Sequence, residues 1–279
     1  MTWLLEPLQF EFMRYALTAM VLAAIPLSLL SCFLVVRGWA LMGDALSHAV
    51  LPGVVLAYAL GLPLLLGAFL AGLFCAAAVG FIDQKTKLKE DTAMGVVFTG
   101  LFALGLVLFS VVHSNLHLNH ILFGDALGVE SEQLWQIGAV TASVIVLMLV
   151  FGRDWQLQLF DPIQARTMGL PVGRLHYGLL VILSMSIVSA LSTVGIIIAM
   201  SLLILPGATL VLMRVSMRKM LWLSPILGSS AALIGGYLSF YLDSAPAPTM
   251  VLAMGVQFCL ALLAQQYRDY RVPKLKGAP

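Results

Sequence analysis

Residues 13–36 read MRYALTAMVLAAIPLSLLSCFLVV, a run of apolar and small residues with one charge, Arg14, near its start. A helix needs about 20 such residues to cross the hydrocarbon core of a bilayer. The stretch therefore predicts a membrane-spanning helix, and the rest of the chain repeats the pattern. Further apolar runs lie at about 43–60, 62–82, 93–112, 133–152, 175–192, 194–212, 220–243 and 249–267. Because a spanning segment must satisfy its own backbone hydrogen bonds, the expected fold class is all-α, a polytopic membrane helical bundle of about eight or nine transmembrane helices. The count turns on short breaks at Gly61-Leu62-Pro63 and Ser192-Thr193, where a tight turn, a kink and a re-entrant segment read alike. Composition agrees: 61% of the 279 residues are hydrophobic and 10% are charged, far from the balance of a soluble domain.

Three regions follow. Residues 1–12 form an N-terminal extracytoplasmic or interfacial segment, acidic through Glu6 and Glu11 where a cleaved signal would be basic. Residues 13–267 form the transmembrane domain, with an inward loop at 153–174. Residues 268–279 form a basic tail. Basic residues favour cytoplasmic loops, and 14 of the 15 fall in alternate loops: Arg37; Lys85, Lys87 and Lys89; Arg153, Arg166 and Arg174; Arg214, Arg218 and Lys219; Arg268, Arg271, Lys274 and Lys276. The C-terminus is therefore expected in the cytoplasm. The opposite loops carry His113, His117, His120, Asp125, Glu130, Glu132 and Asp243. A formal net charge of +2, scattered along the chain, excludes a nucleic-acid surface. Cys32, Cys75 and Cys259 sit singly in apolar runs and read as small core residues. No GxxxxGK[ST] phosphate loop occurs, so energy from ATP has to come from a partner chain. Clusters of small residues, Gly67, Ala71 and Gly72 in one run and Gly228, Ala232, Gly235 and Gly236 in another, suit close helix packing.

The chemistry concentrates in Gly43-Asp44-Ala45-Leu46-Ser47-His48-Ala49-Val50-Leu51-Pro52-Gly53. Asp44 and His48 are four residues apart and share one helical face. Ionisable groups inside a membrane segment cost several kcal/mol unless paired or wetted, so they are functional candidates by default. One carboxylate and one imidazole make a mixed donor set suited to Mn²⁺, Fe²⁺ or Zn²⁺, and two copies meeting at a dimer axis supply about four ligands. The same residues also fit a plainer arrangement, with Asp44 as a helix N-cap and His48 bonded to a backbone carbonyl.

The run at 43–54 resembles the signature of the membrane subunits of manganese, zinc and iron ABC importers, the ABC-3 permease family. The similarity continues through Glu90-Asp91-Thr92-Ala93-Met94-Gly95, through His120 to Leu127, through Phe160-Asp161-Pro162 with Ala165, Gly169 and Leu170, and through Val194-Gly195 to Leu205-Pro206-Gly207-Ala208. The resemblance implies an ABC importer type II-like permease. It also implies that Asp44 and His48 contact the metal in its pathway, that no cofactor is permanently bound, and that a divalent ion is the cargo. The implied partners are an ATP-binding subunit, an extracellular metal-binding protein, a second permease subunit, identical or related, and membrane lipids, in a bacterial plasma (inner) membrane.

Within the inward loop, Asp161 suits an N-cap, Pro162 the first helical position, and Gly169 the position just past the end. That predicts a short self-capped helix with Ile163, Ala165 and Met168 as an apolar face. By resemblance it is the coupling helix, with Phe160, Asp161, Pro162, Ala165 and Gly169 as its marks. His113, His117 and His120 share a helical face and, with Asp125, are candidate contacts for metal or for the binding protein. His176 reads as an interfacial residue. Among the prolines inside apolar runs, Pro206 with Gly207 is the candidate hinge. The expected function is the permease subunit of an ATP-driven importer of Mn²⁺ and/or Fe²⁺, or of Zn²⁺, without enzymatic chemistry of its own. A proton-coupled secondary metal transporter and a membrane-embedded metal hydrolase are the alternatives.

Overall fold

The computed structural model describes residues 6–39, 41–86, 88, 90–112 and 128–271. The first long apolar run forms α2 (Glu11–Arg37), preceded by the single turn α1 (Glu6–Gln9). The chain continues through α3 (Met42–Ala49), α4 (Leu51–Ala59), α5 (Leu64–Lys85), α6 (Glu90–Val111), α7 (Ser131–Phe160), α8 (Pro162–Thr167), α9 (Val172–Val194), α10 (Ile196–Leu212), α11 (Met217–Leu242) and α12 (Pro246–Arg271). Among the described residues, eight helical segments are long and apolar enough to cross a membrane, with α3 and α4 counted as one, and α10 is a shorter ninth. The upper expectation of nine crossings thus holds if the 17 residues of α10 span, and that length lies at the short end of the spanning range.

The helix ends carry their own explanations. Gly38, at φ +83°, closes α2 while the Trp39 amide donates to the Leu34 carbonyl at 2.7 Å and the Gly38 amide to Val35 at 3.2 Å, the double bond of a glycine-terminated helix. Gly61, at φ +67°, makes the tight turn between α4 and α5. The break expected at Ser192-Thr193 falls at Gly195 instead. The hydroxyls of Ser192 and Thr193 donate to the Ser189 carbonyl and so are satisfied within α9, whereas Gly195 takes φ +86° and ends it. Glu130 and Gln133 form a reciprocal capping box at the start of α7, which gives Glu130 a structural task.

The inward loop is also shorter than the expected 153–174, because α7 runs on to Phe160 and α9 begins at Val172. Two buried polar side chains tie those ends together: Trp155 donates its indole N–H to the Leu175 carbonyl at 2.9 Å, and Gln158 its amide to Val172 at 3.1 Å. The helix α12 likewise extends to Arg271, so the basic tail starts as helix.

Helices α2, α9 and the α3–α4 segment form the centre, each with 72% of its spanning window buried, against 11% for α6, 17% for α7 and 22% for α12. That peripheral placement explains Cys259 in α12, which is exposed while Cys32 and Cys75 are buried. Small residues set the closest approaches, as expected of membrane helices. A methyl group on Gly53 would collide with the Gly67 carbonyl, and one on Gly67 with the Gly53 carbonyl, where α4 crosses α5. Gly228 lies against Ser28, Gly235 against Met250 and Gly236 against Leu17.

These contacts give glycine substitutions opposite signs. Gly53→Ala forces backbones apart, at an expected cost of about 1–3 kcal/mol, and lowers the thermal unfolding midpoint of the detergent-purified protein. Gly100→Ala, in α6 with nothing within 4 Å of the added carbon, leaves the midpoint unchanged or raises it, because alanine favours a helix by about 1 kcal/mol.

Candidate functional site

The turn after α2 directs the chain back among the other helices. Arg37 lies 4.2 Å over the Trp39 ring, and Trp39 meets His176 of α9 edge-on at 5.5 Å. His176, expected only as an interfacial residue, thus packs the turn that launches α3. Helix α3 then starts well inside the bundle. Gly43 is seated against Leu203, near the middle of α10, where an added methyl carbon would stand 2.8 Å from its Cδ1. His48 meets Phe98 and Phe102, which flank the midpoint of α6. The Asp44–His48 pair is therefore close to the mid-depth of the bundle.

Asp44 is the third residue of α3 and not its N-cap, which is Leu41 with no side-chain cap bond. Its carboxylate Oδ1 lies 3.3 Å from His48 Nε2, the two side chains being 38% and 30% exposed. The other imidazole nitrogen, Nδ1, is buried and among the described residues has no hydrogen-bond partner, so the expected alternative of a backbone-carbonyl bond for His48 is not realised. A neutral His48 carrying its proton on Nδ1 would present the Nε2 lone pair, beside the Asp44 carboxylate, to a cation. Two donors from one chain leave most of an ion's coordination open to water or to a second set of ligands. Among the described residues no cluster of three or more His, Cys, Asp or Glu side chains exists.

A helix break follows immediately. Pro52 lacks the N–H that would reach the His48 carbonyl, and the helix divides at Val50 into α3 and α4. Gly105 of α6 makes room for the proline: an added carbon there would lie 2.9 Å from both Pro52 N and Cδ. Proline and glycine together thus interrupt the helical hydrogen bonding just beyond the pair.

The expected short helix of the inward loop is α8. The Asp161 side chain caps it, accepting from the amides of Ile163 at 3.1 Å and Gln164 at 2.8 Å. Pro162 is its first residue. Gly169, at φ +78°, ends it with Gly169 N–H donating to Arg166 and Leu170 N–H to Ala165, both at 3.0 Å. Ala165 differs from its expected place: it is fully buried, so the outward apolar surface consists of Phe160, Ile163 and Met168, which are 62, 75 and 65% exposed.

At Pro206 the helix α10 continues without a break, and Gly207 is pressed onto Ser31, where an added carbon would be 2.5 Å from the Ser31 carbonyl oxygen. Close packing with α2 accounts for the glycine. The outer candidates His113, His117, His120 and Asp125 lie outside the described residues. Phe98, Phe102, Trp155 and Gln158 were not singled out from the sequence. The four-residue spacing of the two phenylalanines was the available signal, but aromatic pairs at that spacing are common in apolar helices.

Known proteins share this architecture. The chain is 46% identical over 266 residues to the "Probable iron transport system membrane protein" of Haemophilus influenzae, covering 95% of this chain and 98% of that one. It is 40% identical to the "Manganese transport system membrane protein MntB" of Synechocystis, covering 97% and 91%. The solved structure of PsaBC from Streptococcus pneumoniae in complex with Fab matches with a TM-score of 0.84 at 33% identity, over 97% of this chain and 99% of that one. With its profile matched from residue 9 to residue 265, from before the first long helix to within the last, the chain belongs to the ABC 3 transport family.

Proposed function

We propose that this chain is the membrane-spanning permease subunit of an ATP-driven importer of divalent transition metal ions, with manganese or iron as cargo. The observation that carries the reading is the Asp44–His48 pair, held 3.3 Å apart at mid-depth and left about a third exposed. A carboxylate facing acyl chains at that depth costs about 2.5–3.5 kcal/mol, so the exposed side of the pair belongs against a water-filled path or another subunit. A second permease copy, identical or related, facing it across a shared axis would bring the donors to about four. The relatives named for iron and for manganese transport favour those two metals over zinc.

The rest of the assembly follows from the same chemistry. Basic residues cluster at the end of the bundle that holds α8, which faces the cytoplasm by the positive-inside tendency, together with the C-terminus. The membrane is the bacterial plasma membrane. There α8, capped at both ends and presenting Phe160, Ile163 and Met168, docks into a groove of a separate ATP-hydrolysing subunit and passes its closure to the flanking α7 and α9, which the Trp155 and Gln158 bonds hold together. An extracellular binding protein delivers the ion at the opposite end. The ion is held briefly, because two donors per chain make a weak site.

Two experiments test this reading. In cells expressing the full transporter at matched membrane levels, Asp44→Ala and His48→Ala each reduce ATP-dependent uptake of manganese or iron at least about tenfold, the lower end of what losing even a partner that orients a ligand costs; wild-type uptake in both variants contradicts the assignment. For the inner helix, Ile163→Asp combined with Met168→Asp leaves the permease in the membrane but abolishes co-purification of the ATPase subunit. Asp161→Ala, which removes a cap contributing about 1 kcal/mol, weakens that association partially. Unchanged co-purification of the double variant assigns the docking surface elsewhere.

A further inference from the structure

A ligating imidazole in a protein metal site is normally steered by a hydrogen bond from its second nitrogen to a carboxylate, carbonyl or water, which fixes its tautomer and orientation and strengthens it as a ligand. His48 departs from that arrangement. Its Nε2 faces Asp44 at 3.3 Å, while its Nδ1 is buried and among the described residues meets no hydrogen-bond partner. Two phenylalanine rings of α6 pack against the imidazole. The Phe98 ring lies 5.9 Å away, tilted at 36°, and the Phe102 ring 5.1 Å away, edge-on at 71°. Both separations fall within the range of favourable aromatic pairs, and the two residues lie one turn apart on the same face of α6.

From this geometry we infer that Phe98 and Phe102 are the positioning residues of the pathway site: they fix the plane of the His48 ring so that Nε2 faces Asp44, in place of a polar outer shell. The inference rests on the reading that Asp44 and His48 contact the transported ion. Steering by rings orients the imidazole without supplying an acceptor for its second nitrogen, so the ligand is aimed but not strengthened. A site of this kind binds in a defined place and releases readily, as a pathway requires. It also couples the site to α6, because any sliding of α6 relative to α3 re-aims His48.

The test is the concentration dependence of ATP-driven Mn²⁺ and Fe²⁺ uptake by the complete transporter in proteoliposomes, with complex assembly verified for each variant. Phe102→Leu and Phe98→Leu keep the apolar volume but remove the ring. Each is expected to raise the apparent KM several-fold, and the double variant about tenfold, the lower end of what loss of an orienting partner costs, while the maximal rate stays within about twofold. Phe102→Tyr, which retains the ring, restores the wild-type KM. Unchanged KM in the double variant overturns the inference, as does a fall in maximal rate at unchanged KM, which assigns the rings to the fold or to gating. His48→Ala separates this failure from that of the underlying reading. If it abolishes uptake while the phenylalanine variants behave as wild type, only the positioning role fails; if it transports with wild-type KM, the metal-contact reading fails and the positioning role with it.

Discussion

A carboxylate and an imidazole at mid-depth in a membrane protein constrain everything around them. Neither can face acyl chains without a cost of several kcal/mol, so the segment that carries them has to be central, closely surrounded and open only toward a polar path or another protein surface. The structure meets this constraint through the short α3–α4 segment. It starts inside the bundle after the Gly38 turn, is 72% buried over its spanning window and leaves exposed, near its start, the face that bears Asp44 and His48.

Packing around that segment relies on small residues because shape fit, more than the hydrophobic effect, holds helices together in lipid. Gly53 and Gly67 bring the α4 and α5 backbones into contact, Gly105 makes room for the Pro52 ring, and Gly43 lets α3 settle on Leu203. Each glycine removes a side chain where α3 or α4 needs a near neighbour, and together they fix the depth and direction of the ionisable pair. At the end of the bundle that carries the basic loops, different devices apply. Asp161 and Gly169 terminate α8 from both ends, and the buried side chains of Trp155 and Gln158 bind α7 to α9, the two long helices that α8 connects. The proposed coupling to an ATPase subunit needs such an arrangement: a stiff short helix in the connection between two long helices that specific hydrogen bonds hold together.

Much of this was legible in the sequence, for identifiable reasons. Long apolar runs fix spanning helices because the bilayer imposes their length, and residues such as Asp161, Pro162 and Gly169 act locally, so α8 could be placed from its own few residues. The Asp44–His48 pair stood out because charge inside an apolar run is expensive. What the sequence concealed depends on residues distant along the chain. The break near Ser192-Thr193 moved to Gly195, whose positive φ ends α9, while back-bonded hydroxyls leave the polar pair satisfied within the helix. Ala165 turned inward because of how α8 rests on α7 and α9. The close approach of Gly207 to Ser31 likewise joins residues far apart in the chain. Phe98 and Phe102 are ordinary residues of an apolar helix until α6 is placed beside α3.

Electron paramagnetic resonance of Mn²⁺, titrated into the assembled permease and ATPase complex in nanodiscs, tests most directly whether the pair at mid-depth is the ion's place of contact. One weakly held Mn²⁺ per pair of permease chains is predicted, with a spectrum that is lost in both Asp44→Ala and His48→Ala. Mn²⁺ bound with the same stoichiometry and spectrum in wild type and in both variants would contradict the assignment and place the transported ion elsewhere.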